Sequence, residues 1–256
     1  MSYPEPDPTL AFVYDGTLEG LLCAIFETYA RKQVPLDIVT EKELHLRLGQ
    51  DPHTVATSPF IAERVRTGIV RTCGTETYEA VRAASLSDDR GRGIIIARFV
   101  RHSMAAKRST LSQRTHPQVE PFIRIHRAVL NERHRMMQFL RFQELEGGFW
   151  FARCSPQANV VPLLMDWFAE RFNVQPFVIY DEAHHLAGVY QGHGWFLVET
   201  DELDLPDPTA DEHAMARAWQ RFYKTASIEA RFNPELRRSF MPKRLWEHIT
   251  ELADEQ

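Results

Sequence analysis

"HRAVLNERHRMMQFLRFQELEGGFWFARC", residues 126–154, changes its hydrophobic period halfway along. As far as Met137 the pattern is helical: Val119, Phe122, Ile123, His126, Leu130, Arg133 and Met137 fall on one side. Arg124, Arg127, Asn131, Arg135 and Gln138 fall on the other and make a basic stripe. After Met137 the apolar residues come in short runs, "QFLRFQEL" and "FWFARC", separated by Gly147-Gly148, the signature of a hairpin turn. A helix that feeds a hairpin predicts an α+β protein, a largely antiparallel sheet packed by several amphipathic helices.

The flanking sequence extends this reading in both directions. "AFVYDGTLEGLLCAIFETYARK" predicts a short strand, a turn at Asp15-Gly16, and a helix with Leu18, Leu21, Leu22, Ile25 and Phe26 at helical spacing, capped by Thr17. "ELHLRLG" predicts a second strand. Two or three helices are expected between Ser58 and Met104, interrupted at "SDDRGRG", so that residues 58–137 form a helical sub-region within a single α+β domain spanning 1–256. Downstream, "VVPLLMDWFAERFN" predicts a helix, and "PFVIYDE", "LAGVYQ" and "GWFLVE" a three-strand meander turning at "GHG". Two helical segments follow the acidic "TDELDLPDPTADE". In the last, Pro234 opens a helix and Pro242 breaks it, predicting two short helices with Trp246 packed and Arg237, Arg238, Lys243 and Arg244 exposed.

Bulk composition excludes several classes. With 44% hydrophobic and 25% charged residues, the chain is not a disordered one. No run of about 18 apolar residues occurs, and "MSYPEPDPTL" lacks the basic and apolar regions of a signal peptide, so a cytoplasmic location with no membrane partner is expected. Cys23, Cys73 and Cys154 form no CxxC pair and are expected in the core. No Walker A, GxGxxG or GxSxG motif is present, and no cofactor is expected.

The formal net charge of -5 conceals a strong polarity. Arg90–Gln143 holds twelve Lys or Arg against two carboxylates, whereas Val198–His213 holds seven carboxylates and no Lys or Arg. Cations at helical spacing neutralise phosphates and release counterions, the main source of nucleic-acid affinity. The candidates are Arg124, Arg127, Arg135 and Arg141, joined near the C-terminus by Arg231, Arg237, Arg238, Lys243 and Arg244. The competing reading is a solvated helix face that pairs with the acidic 199–212 segment.

Candidates for chemistry are fewer. His126 and Arg133 lie on the side of the helix expected to pack; either they serve the core, with Glu144, Asp166 or Asp181 as partner for Arg133, or they line a polar pocket. Asp15 can be a catalytic acid at a strand end, although Asp-Gly is first a turn signal. His184, His185 and His193 lie close to Asp181 and Glu182, but without HxxxH or HExxH spacing, so no metal is expected.

Beyond these residues, "FVYDGTLEGLLCAIFETY", "HRAVLNERHRMMQFLRF", "VVPLLMDWFAERF", "PFVIYDEAHHLAGVY" and "WQRFYKTASIEARFNPELRRSFMPKRLWEHITEL" resemble a bacterial family described as DNA-metabolism or DNA-repair proteins. The resemblance spans nearly the whole chain. It implies partnership with a radical S-adenosylmethionine (radical SAM) protein similar to DNA photoproduct-repair enzymes, and kinship with domains fused to a uracil-DNA glycosylase. This chain has no CxxxCxxC to hold such a partner's iron-sulfur cluster, and it is expected to end before any appended glycosylase domain. No catalytic residues carry over.

The expectation is therefore a DNA-binding accessory protein of DNA repair or DNA modification, inert without its catalytic partner. The alternatives are a nucleobase- or nucleotide-directed enzyme with Asp15, His126 and Arg133 in its pocket, and a protein-interaction module using exposed aromatics. Convergence of Asp15, His126, Arg133 and Asp181 in one cleft favours the enzyme; dispersal favours binding.

Overall fold

The computed structural model describes residues 5–226 and 233–252, and the chain forms two compact units that divide between Leu130 and Asn131. Ala11, Phe12, Val13 and Tyr14 are all buried, an unbroken apolar run of the kind found in a strand covered on both faces. They end strand β1 (Asp7–Tyr14), which lies between β2 (Pro35–Thr40) and β3 (Asp51–Thr54) and pairs with both in parallel. Gly16, at φ 88°, turns the chain into helix α1 (Leu18–Ala30), whose first turn is capped by the Thr17 hydroxyl accepting from Gly20 N at 2.9 Å.

This parallel sheet departs from the sequence reading. "ELHLRLG" is not a strand: a 3-10 turn at Glu41–Glu43 and irregular chain occupy it, between the true strands β2 and β3. The physical reason lies in burial, because Leu46 and Leu48 have no core to meet and are 51% and 107% exposed. Alternation without a surface to pack against does not make a strand.

Four helices follow: α2 (Pro59–Cys73), α3 (Thr75–Ser85), α4 (Arg92–Ala106) and α5 (Glu120–Phe139). Ser58 caps α2 with Pro59 at its first position, and Gly74, at φ 89°, separates α2 from α3. The rings of Phe99 on α4 and Phe122 on α5 stack at 3.7 Å between centroids in the core of the first unit. Helix α4 starts so close to β2 that a Cβ on Gly93 would lie 2.2 Å from the Ile38 carbonyl oxygen. Gly93→Ala should therefore cost about 2 to 3 kcal/mol, since neither backbone can yield. Gly68 in α2 has open space around it, so Gly68→Ala should instead add up to about 1 kcal/mol. Urea denaturation of the two variants should show midpoints shifted in opposite directions.

In the second unit the hairpin forms where expected: β4 (Phe142–Leu145) and β5 (Phe149–Cys154) pair antiparallel around Gly147 and Gly148, both at positive φ. Strands β6 (Phe177–Asp181), β7 (Leu186–Tyr190) and β8 (Trp195–Glu199) complete a sheet of order β4-β5-β6-β7-β8. All its pairings are antiparallel except β5 with β6, which α6 (Val161–Phe172) connects as a crossover. Phe142, Phe168, Phe172 and Phe177 interlock edge to face beneath α6. The outer edge of β4 is covered by residues 207–209, through Glu146 N to Asp207 O and Thr209 N to Glu144 O.

Helices α7 (Ala210–Ala226) and α8 (Pro234–Phe240) follow, and a 3-10 helix at Lys243–His248 replaces the second short helix expected beyond Pro242. Trp246 is 5% exposed and lies beneath the Arg237 guanidinium at 4.5 Å. Both units combine helices with sheet, the α+β class, and the sheet of the second is largely antiparallel. Among the described residues no helix is long and apolar enough to cross a membrane.

Candidate functional site

In the first unit the basic residues that flank α4 and those on the exposed face of α5 are largely free, whereas within α4 Arg92 pairs with Glu43 and Arg101 donates to Thr28. Arg90, Lys107, Arg108, Arg114 and Arg127 are exposed and make no ion pair among the described residues. Arg124, with 63% of its side chain exposed, has only a long contact to Asp89, 3.8 Å. Arg124 and Arg127 sit three apart on α5, on one exposed face. Within the second unit, the acidic 199–212 segment makes a side-chain ion pair between Asp201 and His185 at 3.2 Å.

The second unit employs its cations differently. The buried line of α5 runs through Phe122, Ile125, Val129, Glu132 and Met136, whereas Leu130, expected to pack, is 39% exposed. The helix is thus turned by about one residue from the sequence reading, which puts a carboxylate in the core. Glu132, 2% exposed, accepts from Gln157 N at 3.0 Å, from Arg135 at 3.2 Å and from Arg244 at 2.7 Å. Arg244 also donates to the Ser155 carbonyl, so it is half-buried rather than exposed. Arg237 is likewise half-buried against Trp246, while Arg238 and Lys243 are exposed as expected. Arg141 pairs with Glu251 at 2.9 Å, and Arg231 lies outside the described residues.

The catalytic candidates each have their own neighbours. Asp15 accepts from Thr17 N and Oγ1 through Oδ1 and from Thr57 Oγ1 through Oδ2, tying the loop after β1 to the loop after β3. Burial alone would raise its pKa, but the hydrogen bonds from Thr17 and Thr57 outweigh it and hold the carboxyl below its ordinary range. His126 stacks on Phe122 at 5.9 Å, and burial lowers its pKa, so the ring is neutral at pH 7. Arg133 takes none of its three expected carboxylate partners; its Nε donates to the Leu163 carbonyl at 2.9 Å. Asp181, fully buried, accepts from Ala183 N, His184 N and His184 Nδ1 and so builds the β6–β7 turn. Asp15 and His126 share no hydrogen bond in the first unit, and Arg133 and Asp181 share none in the second. No cluster suited to a metal ion occurs among the described residues. All three cysteines are buried, and burial pushes the Cys154 thiol pKa well up, which makes it a poor nucleophile.

Concave space lies on both faces of the β4–β5 hairpin. Because side chains alternate across a strand, Arg141, Gln143, Leu145, Phe151 and Arg153 share one face, and there they line a cleft of about 340 Å³ together with Leu205, Pro206, Pro208 and residues 247–250. Phe142, Glu144 and Trp150 line a second cleft, also of about 340 Å³, against Asp211, Met215 and Trp219 of α7 and its neighbours. At the first cleft, His248 Nε2 lies 3.1 Å from Ser155 Oγ. Glu182 lies 3.6 Å from the same nitrogen and 3.3 Å from the same hydroxyl. A nucleophile relay needs its carboxylate on Nδ1, so this arrangement fastens the last 3-10 helix to β5 and does not activate the serine. Glu132, Arg153, Ser155 and His248 were not singled out from sequence; only Arg153 carried a signal, its shared hairpin face with Arg141.

No curated protein matches the chain. A family model, the domain of unknown function DUF4130, matches residues 90–251, which takes in the free basic surface, the buried Glu132 cluster and both clefts. The match covers more than half of the chain, and the protein belongs to the DUF4130 family.

Proposed function

We propose that this chain is a DNA-binding accessory protein of DNA repair or DNA modification, acting in the cytoplasm with a catalytic partner of radical SAM or glycosylase type. The observation that carries the reading is charge left unpaired: Lys107, Arg108, Arg114 and Arg127 are exposed without a carboxylate partner, and Arg124 is nearly so. Cations left exposed and unpaired on a folded unit are what a polyanion would neutralise. Arg238 and Lys243 belong to the same proposal as exposed cations of the second unit, whereas Arg135, Arg141 and Arg244 already hold carboxylates. The repair context comes from the sequence resemblance; within each unit the candidates share no hydrogen bond, neither Asp15 with His126 nor Arg133 with Asp181, which favours binding over catalysis by either pair.

Fluorescence anisotropy of a labelled duplex across a salt series tests the reading. Affinity should fall steeply with salt, and the Arg124→Ala/Arg127→Ala double variant should flatten the log-log slope by about 1.8, roughly 0.9 for each phosphate no longer neutralised. Both side chains are exposed, so the variant should fold normally. No binding at low salt, or an unchanged slope in the double variant, would contradict the proposal.

A further inference from the structure

We propose that the cleft on the Arg141 face of the β4–β5 hairpin binds a nucleoside 5′-monophosphate, either free or as the phosphorylated end of a strand. The register Phe142↔Ala152, carried one residue further, sets Arg141 across from Arg153. Like charges facing each other across a ladder are unfavourable, and an anion between them would offset that repulsion. Each guanidinium is anchored from outside the cleft, Arg141 by Glu251 at 2.9 Å and Arg153 by Glu182 at 2.8 Å. Anchoring leaves Arg141 only its Nε, because Nη1 donates to the Gln138 and Leu140 carbonyls and Nη2 to Glu251, but it leaves Arg153 open: its Nε and Nη2 make no hydrogen bond among the described residues. Among the described residues His248 is engaged at Nε2 alone, which leaves Nδ1. A planar guanidinium fork matches two phosphate oxygens.

The rest of the lining suits a flat ring. Leu145, Phe151 and Ile249 are buried and give an apolar floor, with Leu205 packed against it. Gln143 and Thr250 supply neutral donors and acceptors for the ring's edge. A volume of about 340 Å³ is at the lower end of ligand pockets, sized for one nucleotide and not for a duplex. The opposite face provides the contrast: its cleft holds three carboxylates, Glu144, Asp211 and Glu212, against the single cation Arg141, whereas the proposed cleft holds one, Glu247, against Arg141 and Arg153.

The cleft belongs to the second unit and uses none of the exposed cations of the first, so its test is independent of duplex binding. Isothermal titration of the full chain should use the four deoxynucleoside 5′-monophosphates, the matching nucleosides, inorganic phosphate, and a short 5′-phosphorylated single strand with its unphosphorylated twin. At least one monophosphate or the phosphorylated strand should bind, tenfold or more tightly than its unphosphorylated counterpart and than inorganic phosphate. Arg153→Ala should lose at least tenfold, Arg153→Lys less, and Arg124→Ala/Arg127→Ala nothing. Binding confined to the phosphorylated strand identifies a strand end as the ligand; binding of monophosphates identifies the free nucleotide. No phosphate-dependent binding by either, or binding that survives Arg153→Ala with circular dichroism unchanged, would overturn the proposal.

Discussion

Arg244→Ala is expected to destabilise the second unit by about 3 kcal/mol, far more than removal of a surface arginine. Its guanidinium is 2.7 Å from Glu132, a carboxylate with 2% of its side chain exposed, and its second nitrogen reaches the Ser155 carbonyl. Truncation leaves the buried charge with only Arg135 and one backbone N–H. Arg238→Ala removes an exposed arginine that holds no carboxylate among the described residues; it is the control and should stay within about 0.5 kcal/mol of the parent. Urea denaturation followed by far-ultraviolet circular dichroism measures both. Equal midpoints for the two variants would show that the Glu132 cluster does not hold the C-terminal 3-10 helix in place.

The other large effect belongs to Trp246. Its ring is 5% exposed, its Nε1 donates to the Met241 carbonyl at 3.0 Å, and it shares the core with its neighbours Leu245 and Ile249. Trp246→Ala should cost about 3 to 5 kcal/mol through lost burial and the cavity left behind. Trp246→Phe keeps most of the apolar area and loses one hydrogen bond, so its cost should be near a third of that. A thermal transition of Trp246→Ala coincident with the parent's would contradict the packing of the last 3-10 helix.

Much of the fold was legible because local signals and burial agreed. Gly147-Gly148 between two apolar runs marked the hairpin, "GHG" the β7–β8 turn, and Pro234 and Pro242 the broken C-terminal helices. The parallel sheet of the first unit was not legible. Its strands pair across the chain, and β3, "DPHT", carries no apolar alternation at all, whereas the decoy "ELHLRLG" carries it without a core to face. Local pattern cannot reveal a pairing made by distant backbone.

Residues of the candidate site divide along the same line. Exposure of Arg124 and Arg127 follows from helical spacing alone. The burial of Glu132 does not: rotating α5 by one position exchanges Leu130 for Val129 and Arg133 for Glu132, and the distant Arg244, with Arg135 and the Gln157 N–H, makes that burial tolerable. Arg133 misled for a related reason, since a half-buried guanidinium can be satisfied by a backbone carbonyl, that of Leu163 in the first turn of α6, as well as by a carboxylate. The cleft was within reach of sequence once the hairpin was recognised, because alternation puts Arg141 and Arg153 on one face; His248 arrives there only through tertiary packing.

Lysine acetylation footprinting tests the central claim, duplex binding by the first unit's free cations, most directly. Among the described side chains, Lys32, Lys42, Lys107 and Lys243 are exposed. Acetylation of the full chain with and without a saturating duplex, read by mass spectrometry, should show Lys107 protected and Lys32 and Lys42 unchanged. Equal modification of Lys107 in the presence and absence of duplex, under conditions where anisotropy shows the duplex bound, would contradict the account.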